Sequence, residues 1–445
     1  MSYASFDNIK DNRYRNNKYE DDLFFKKNSK NRIIFHIDAN SAFLSWEAVY
    51  RLQHGEDVDL REIPSVVGGD PKSRHGIVLA KSIPAKKYGI KTGESLMESR
   101  IKCPKLTVVP PRFHIYIKSS NAMFDIFSEY TPIIQRYSID ECFLDVSENE
   151  EAKKDPYALA IKIKERIKEE LGFTVSIGVS NNKLLAKMGS ELKKPDAATT
   201  LFPHEIENKL WPLPVRELFM VGRATEKKLK TIGINTIGEL AQCEIGVLKE
   251  RMKSHGELVW KYANGIDNSL VRRENYIEMK GLGNSTTISF DVDNKEEAHM
   301  VLMSLVETCS MRLRDSGNIC KCITVSIRNS EFMNYSHQRV LSYETNCTDE
   351  IYKEVIRLFD DMWKGEAIRH LGIRLSHLSS AKNRQLTLFD YKDIKKKENL
   401  DSVIDDIRIK YGTGSVVRAK FIHSGLKPIR GGAGAESYPV MSSIL

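Results

Sequence analysis

Arg32-Ile33-Ile34-Phe35-His36-Ile37-Asp38 is the first regularly patterned stretch of the chain, and it ends on an acid. Ile33, Phe35 and Ile37 alternate with Ile34, His36 and Asp38, which predicts a strand finishing at a carboxylate. A later stretch has the same character. Gln135-Arg136-Tyr137-Ser138-Ile139-Asp140-Glu141-Cys142-Phe143-Leu144-Asp145-Val146 reads as strand, turn, strand, with two consecutive acids set among apolar residues. An acid beside a hydrophobic strand is costly unless it is paired, hydrogen-bonded or metal-bound. Each of Asp38, Asp140 and Glu141 alone is an ordinary strand-end carboxylate. Together they point to a divalent-cation site, because two like charges about 4 Å apart repel by about 4 kcal/mol at an effective dielectric near 20, and a hard cation such as Mg²⁺ relieves that. Successive strand residues face opposite ways, so Asp140 and Glu141 can share a site only at a turn or strand edge.

Outward from these two stretches, Ala42–Leu52 and Tyr116–Tyr130 read as helices. Leu159, Ile163, Ile167 and Leu171 recur every fourth residue, a helix with one apolar face. Phe173, Val175, Ile177 and Val179 alternate as a strand, and a helix over Asn182–Lys194 stops at Pro195. Val66–Asp70 and Gly76–Ala80 read as short strands. Strands and helices thus alternate irregularly to about Phe202, an α/β or α+β pattern. A helical region follows over Pro203–Asn275. A second mixed region opens at Gly281, with a strand over Ile323–Ile327 and a helix around Glu350–Trp363. Ala381–Asp390 reads as a linker, and residues 1–31 and the Gly- and Ser-rich end read as flexible.

The length of 445 residues favours about three domains. Hydrophobic residues at 41% and charged residues at 29% are an ordinary globular mix, which argues against wholesale disorder. The formal charge of +8 permits a polyanionic partner without requiring one. Its most lopsided stretch is Lys72–Lys105, where nine basic residues face only Glu94 and Glu98. That stretch reads as either a solvated face or a phosphate-contacting one. No apolar run approaches the ~18 residues of a membrane span, and no secretory signal opens the chain. Seven cysteines without a CxxC pair read as reduced thiols in a cytoplasmic protein.

Four short motifs occur in order: Asp38-Ala39-Asn40-Ser41-Ala42-Phe43; Ala80-Lys81-Ser82-Ile83-Pro84-Ala85-Lys86-Lys87-Tyr88-Gly89-Ile90; Ser138-Ile139-Asp140-Glu141; and Gly178-Val179-Ser180-Asn181-Asn182-Lys183-Leu184-Leu185-Ala186-Lys187 with Lys194-Pro195. Their order and spacing resemble Y-family, translesion DNA polymerases of the bacterial DNA polymerase IV type. The resemblance implies an α+β multidomain right hand: an N-terminal extension (1–31), a ferredoxin-like palm (32–41 and 112–203), small fingers (42–111), and a helical thumb with a helix-hairpin-helix (204–275). A linker (276–284), an α/β little finger (285–381) and a C-terminal tail (382–445) complete it.

The resemblance also implies roles. Asp38 and Asp140 bridge two Mg²⁺ ions, Glu141 holds the catalytic one, and the Ala39 carbonyl touches the nucleotide-bound one. Ser41, Ala42, Phe43, Lys86 and Lys183 meet the deoxynucleoside triphosphate. Phe43 is the steric gate that leaves no room for a 2′-hydroxyl. Val221 and Gly222 belong to the hairpin that grips primer-template DNA. Lys321, Arg328, Arg339 and Arg374 are little-finger DNA contacts, on a domain whose fourteen acids outnumber its eleven bases. Gln385-Leu386-Thr387-Leu388-Phe389 is similar to the pentapeptide that binds the bacterial sliding clamp. The implied enzyme is a monomeric, cytoplasmic nucleotidyltransferase acting in translesion synthesis and DNA repair. Asn40, Ile83, Lys86 and Met220 depart from residues frequent in the family; Lys cannot make the bidentate phosphate contact of Arg. A catalytically weak accessory factor of the same fold is the alternative. A nucleotide cyclase with a similar two-metal palm leaves the thumb motif and the clamp peptide unexplained.

Overall fold

The computed structural model describes residues 32–71, 74, 76–272, 279–381 and 391–422, with backbone alone at 391–395. Contacts divide these into two units. One holds the described residues up to Arg61 and from Arg112 to Arg272; the other holds Glu62–Pro111 and the residues from Met279 onward.

The first unit is built on a five-stranded sheet in the order Ile134–Arg136, Glu141–Asp145, Ile34–Ala39, Val175–Ser180, Ala198–Thr200. Neighbours are antiparallel except the last pair. Strand Ile34–Ala39 is central and buried along its whole length, so the alternation seen in its sequence separates two covered faces rather than core from solvent. Helices Pro156–Leu171 and Lys183–Leu192 pack on the sheet, and helix Ala42–Gln53 packs on Phe113–Ser128. Helix Pro156–Leu171 starts where the sequence pattern says: Asp155 accepts from the Ala158 N–H at 3.0 Å, and Pro156 fills the first helical position. Residues 203–263 of the same unit form short helices around their own core of Leu210, Leu229, Ile237, Leu240, Leu248 and Val259.

In the second unit, a three-stranded sheet runs in the order Val78–Lys81, Ser65–Gly68, Thr107–Val109. A larger antiparallel sheet runs in the order Asn334–Thr345, Asn318–Asn329, Ile368–Ser380, Gly281–Val292. Helices Lys295–Asp315 and Thr348–Met362 cover one of its faces. Along Asn318–Asn329, Ile323, Val325 and Ile327 are buried beneath those helices, while Thr324, Ser326 and Arg328 alternate with them.

The sequence reading left the tail without structure, yet Tyr391–Tyr411 is a helix. It docks through charge: Arg314 bonds Asp405 at 2.6 Å and Asp401 at 3.2 Å, and Arg408 reaches Glu307 at 3.2 Å; beyond the helix, Arg418 reaches the same Glu307 at 2.9 Å. The seven cysteines are all described and all free, six of them buried. No helix among the described residues is long and apolar enough to cross a membrane.

Candidate active site

Strand Ile34–Ala39 lies between its two partners with Asp38 opposite Glu141 on one side and Ser176 on the other. Asp140 stands just before Glu141–Asp145, and its carbonyl accepts from the Ala39 N–H at 3.0 Å. The turn that carries it is closed by its own residues. The Tyr137 and Ser138 N–H groups donate to the Glu141 carbonyl at 2.9 and 3.1 Å. The Glu141 N–H donates to Ser138 Oγ at 3.0 Å, and the Ser138 hydroxyl donates to the Asp140 carboxylate. Asp38 and the consecutive pair Asp140 and Glu141, far from it in sequence, thus lie at one end of adjoining strands, with a turn where the two consecutive acids require one.

Cations reach these acids from the next helix. At Gly178 the helix Lys183–Leu192 comes so close that a Cβ would stand 1.8 Å from the Ala186 carbonyl oxygen and 2.4 Å from the Ser190 nitrogen. This approach sets Lys187 in an ion pair with Glu141 and Ser190 Oγ 2.7 Å from His36 Nδ1. His36 Nε2 lies 3.2 Å from the same Glu141 carboxylate. Just past the helix, Lys194 Nζ is 2.9 Å from Asp38 and 2.8 Å from Glu191.

Burial dominates the electrostatics. It lifts the Asp38 carboxyl to about 7, with Lys194 pulling down and Glu141 and Asp140 pushing further up. Burial also raises Asp140, against the Ser138 hydrogen bond. For Glu141 the burial penalty is outweighed by the His36 hydrogen bond and the Lys187 cation, which bring it down to about 2. His36 is lowered to about 4 by burial and by Lys187, so it is a neutral imidazole at neutral pH.

Among the described residues, no three His, Cys, Asp or Glu side chains stand close enough together to hold a metal ion as placed. Lys187 and Lys194 are the cations on the carboxylates. The donor set fits a hard divalent ion nonetheless: oxygen ligands at adjoining strand ends, with burial keeping Asp38 from ionising although Lys194 stands beside it.

Ser41 takes a left-handed φ of 48° as the chain turns from strand into helix Ala42–Gln53, which buries Ala42 and leaves Phe43 half-buried. Asn40 accepts from Ser176 Oγ at 2.8 Å and donates to Thr174 Oγ1 at 3.1 Å, a pairing an ionised acid could not complete. Lys183 is not at the carboxylates. It is buried, with Nζ 5.1 Å from the Phe143 ring centre and 3.4 Å from the Leu270 carbonyl, and burial lowers it to about 8. Lys86 is exposed on helix Ile83–Lys87 of the second unit.

Val221 is buried, and Gly222 is exposed at the start of helix Arg223–Lys230. Met220 takes the left-handed φ of 72° that glycine accepts most easily, which accounts for its being an unusual residue there. On the large sheet, Arg374 lies opposite Thr324 and shares the open face with Arg328. Arg339 lies opposite Ile323, on the helix-covered face, and pairs with Glu354 at 3.3 Å. Lys321 is half-buried at the register shift between Cys320 and Cys322. Gln385, Leu386, Thr387, Leu388 and Phe389 lie outside the described residues.

Models of the impB/mucB/samB family match residues 37–191, of its C-terminal domain residues 279–388, and of the IMS family HHH motif residues 203–234. DNA polymerase IV of Clostridium acetobutylicum is 52% identical over 388 residues, covering 87% of this chain and 98% of that protein. The chain belongs to the impB/mucB/samB family of Y-family DNA polymerases. DNA polymerase IV 1 of Bacillus subtilis is 36% identical, over 86% of this chain and 92% of its own length. Among solved structures, a chimeric Y-family DNA polymerase matches with a TM-score of 0.66 at 22% identity, over 78% of this chain and 98% of its own. The α+β multidomain architecture expected from the sequence is therefore that of the family. The chain is a DNA-directed DNA polymerase of the translesion class, with DNA and nucleotides as substrates, and the family's fold implies dependence on a divalent metal.

Sequence reasoning missed His36, Lys187 and Ser190 and gave Lys194 no role. Lys183 and Lys187 stand four residues apart on one helix face, so periodicity could not say which of them reaches the acids.

Proposed function

We propose that Asp38, Asp140 and Glu141 are the catalytic carboxylates of template-directed primer extension. The observation that carries this is the pairing of Asp38 with Glu141 across adjoining strands, with the Asp140 carbonyl on the Ala39 N–H. Asp38 and Asp140 would jointly hold two Mg²⁺ ions, with Glu141 and the Ala39 carbonyl adding one contact each. Bound there, magnesium would make the primer 3′-hydroxyl more acidic and offset the charge of the triphosphate and departing pyrophosphate. The protein's own share is to align the hydroxyl with the α-phosphate, and the reaction demands no dedicated side-chain base.

Phe43 would bar a 2′-hydroxyl, with Ser41 and Ala42 framing the nucleotide. Lys86 would meet the triphosphate as an exposed point charge. The same role for Lys183 requires it to leave the Phe143 ring. Val221 and Gly222 would grip a DNA phosphate through backbone N–H groups. Of the little-finger cations, Arg328 and Arg374 would contact DNA from an uncovered face and Lys321 from a less open position, whereas Arg339 is held by Glu354 on the helix-covered face. The domain limits proposed are palm 32–41 and 112–203, fingers 42–111, thumb 204–275, linker 276–284 and little finger 285–381. The enzyme would act as a cytoplasmic monomer that joins the sliding clamp through Gln385–Phe389. Deleting those five residues is expected to abolish stimulation by the clamp while sparing basal synthesis; loss of both would refute the clamp role.

Primer extension on undamaged and lesion-bearing templates tests the assignment. Wild type extends and Asp140→Ala loses on the order of 10³-fold or more in rate, the scale of removing a principal charge-stabilising group. Equal extension by both would overturn the site.

A further inference from the structure

The aromatic ring of Phe43 does not stand alone. It stacks on Tyr116 with ring centres 4.8 Å apart and planes 13° from parallel, and it meets Phe113 edge-on at 5.8 Å. Tyr116 is fully buried, and its hydroxyl donates to Glu47 Oε2 at 3.2 Å. Glu47 stands one helical turn after Phe43 and is itself fully buried. A carboxylate in that position persists only if its charge is matched. Arg112 matches it with a forked contact at 2.5 and 3.1 Å, and Arg51 adds another at 2.8 Å. Arg112 is in turn held 4.2 Å over the Tyr50 ring. Burial works against the Glu47 anion, but the two guanidinium groups more than compensate, so it stays ionised.

We infer that Glu47 is a positioning residue for sugar selection: clasped by Arg112 and Arg51, it fixes Tyr116, and Tyr116 fixes the plane of Phe43. A buried ion cluster is weak evidence for added stability, since apolar residues often serve as well. It does impose directionality that apolar packing lacks. Selection against a 2′-hydroxyl depends on the ring's place to within a fraction of an ångström, which is what a directional brace supplies. This inference rests on the reading of Phe43 as the steric gate and names what holds that gate.

The experiment measures kcat/KM for a deoxynucleotide and for the matching ribonucleotide on one primer-template. It uses wild type, Phe43→Ala, Glu47→Gln, Tyr116→Phe and the double variant Phe43→Ala/Glu47→Gln. Glu47→Gln keeps the shape and removes the charge. It is expected to lower the deoxy-to-ribo preference about ten-fold, the scale of one charged hydrogen bond. Tyr116→Phe, which keeps the ring and removes only its link to Glu47, lowers the preference in the same direction by less. In the Phe43→Ala background, Glu47→Gln has no further effect on the preference, because the ring it positions is gone.

A merely structural Glu47 would slow both nucleotides equally and leave their ratio untouched, and that result overturns the inference. If Glu47→Gln does not fold, Tyr116→Phe decides alone: an unchanged ratio overturns the inference and a lowered one supports it. If Phe43→Ala itself leaves the ratio unchanged, the gate reading fails and the inference falls with it. If Phe43→Ala relaxes selection while neither Glu47→Gln nor Tyr116→Phe does, the gate stands and the brace is refuted.

Discussion

The two large sheets place their functional side chains in different ways. The sheet of the first unit has strands of three to six residues, and its acids sit at strand ends and in a turn. Their neighbours are set by single close contacts: Gly178 against the Ala186 carbonyl, Asp140 against Ala39. The sheet of the second unit has strands of 12 or 13 residues, and its arginines are sorted to one face or the other by regular alternation. Chemistry that needs several groups at one point is built where the chain turns and backbones touch. On the DNA contacts proposed for Arg328 and Arg374, binding to an extended polyanion would be built from a long register, where each residue adds a small, separable share.

The sharpest way to break this contrast is to add one methyl group. Gly178→Ala inserts a Cβ where the helix backbone already stands, so it is expected to cost about 3 kcal/mol in denaturant unfolding. It should also remove most activity by shifting Lys187 and Lys194 away from the acids. An active variant of wild-type stability would show that the close approach does not organise the site.

A second test uses the buried charge. The Asp38 carboxyl is raised from its ordinary value near 4 to about 7, so the fold keeps it protonated where the unfolded chain ionises it. Its contribution is therefore most favourable at low pH and is lost as pH rises through that window. In metal-free protein, Asp38→Asn is expected to exceed wild type in Tm by more at pH 8 than at pH 5, and added Mg²⁺ should narrow the gap at pH 8. A gap that is independent of pH would contradict the placement of Asp38.

The smallest effects belong to the long sheet. Arg374→Ala and Arg328→Ala should each weaken DNA binding moderately and reduce the salt dependence of log K by about 1. Arg339→Ala should leave that slope unchanged and cost less than about 1 kcal/mol in stability, as a partly exposed pair does. If Arg339 changes the slope as Arg374 does, alternation does not sort the DNA-facing residues.

What could be read from the sequence follows the same division. Asp38, Asp140 and Glu141 stand out because acids flanked by Ile37 and Cys142 break an apolar pattern. Helix Thr348–Met362 is legible from its apolar spacing, Ile351, Val355, Leu358 and Phe359 being buried. The helix Tyr391–Tyr411 is not, because its buried residues include Asp401, Asp405 and Arg408 while Leu400, Val403 and Tyr411 are exposed. Polarity there runs opposite to the usual signal, and only the partners Arg314 and Glu307 explain it. The roles of Lys187 and Lys194 were hidden for a different reason. They depend on how closely one helix approaches one strand, which is a property of packing rather than of pattern.

If the three carboxylates act together on divalent ions, counting those ions tests that joint action most directly. Mn²⁺ binding can be followed by electron paramagnetic resonance with primer-template and a non-hydrolysable deoxynucleoside triphosphate present. Wild type is expected to bind two ions per chain, and Asp38→Asn and Asp140→Asn fewer. Two ions retained by a variant lacking both aspartates, or none bound by wild type, would contradict it.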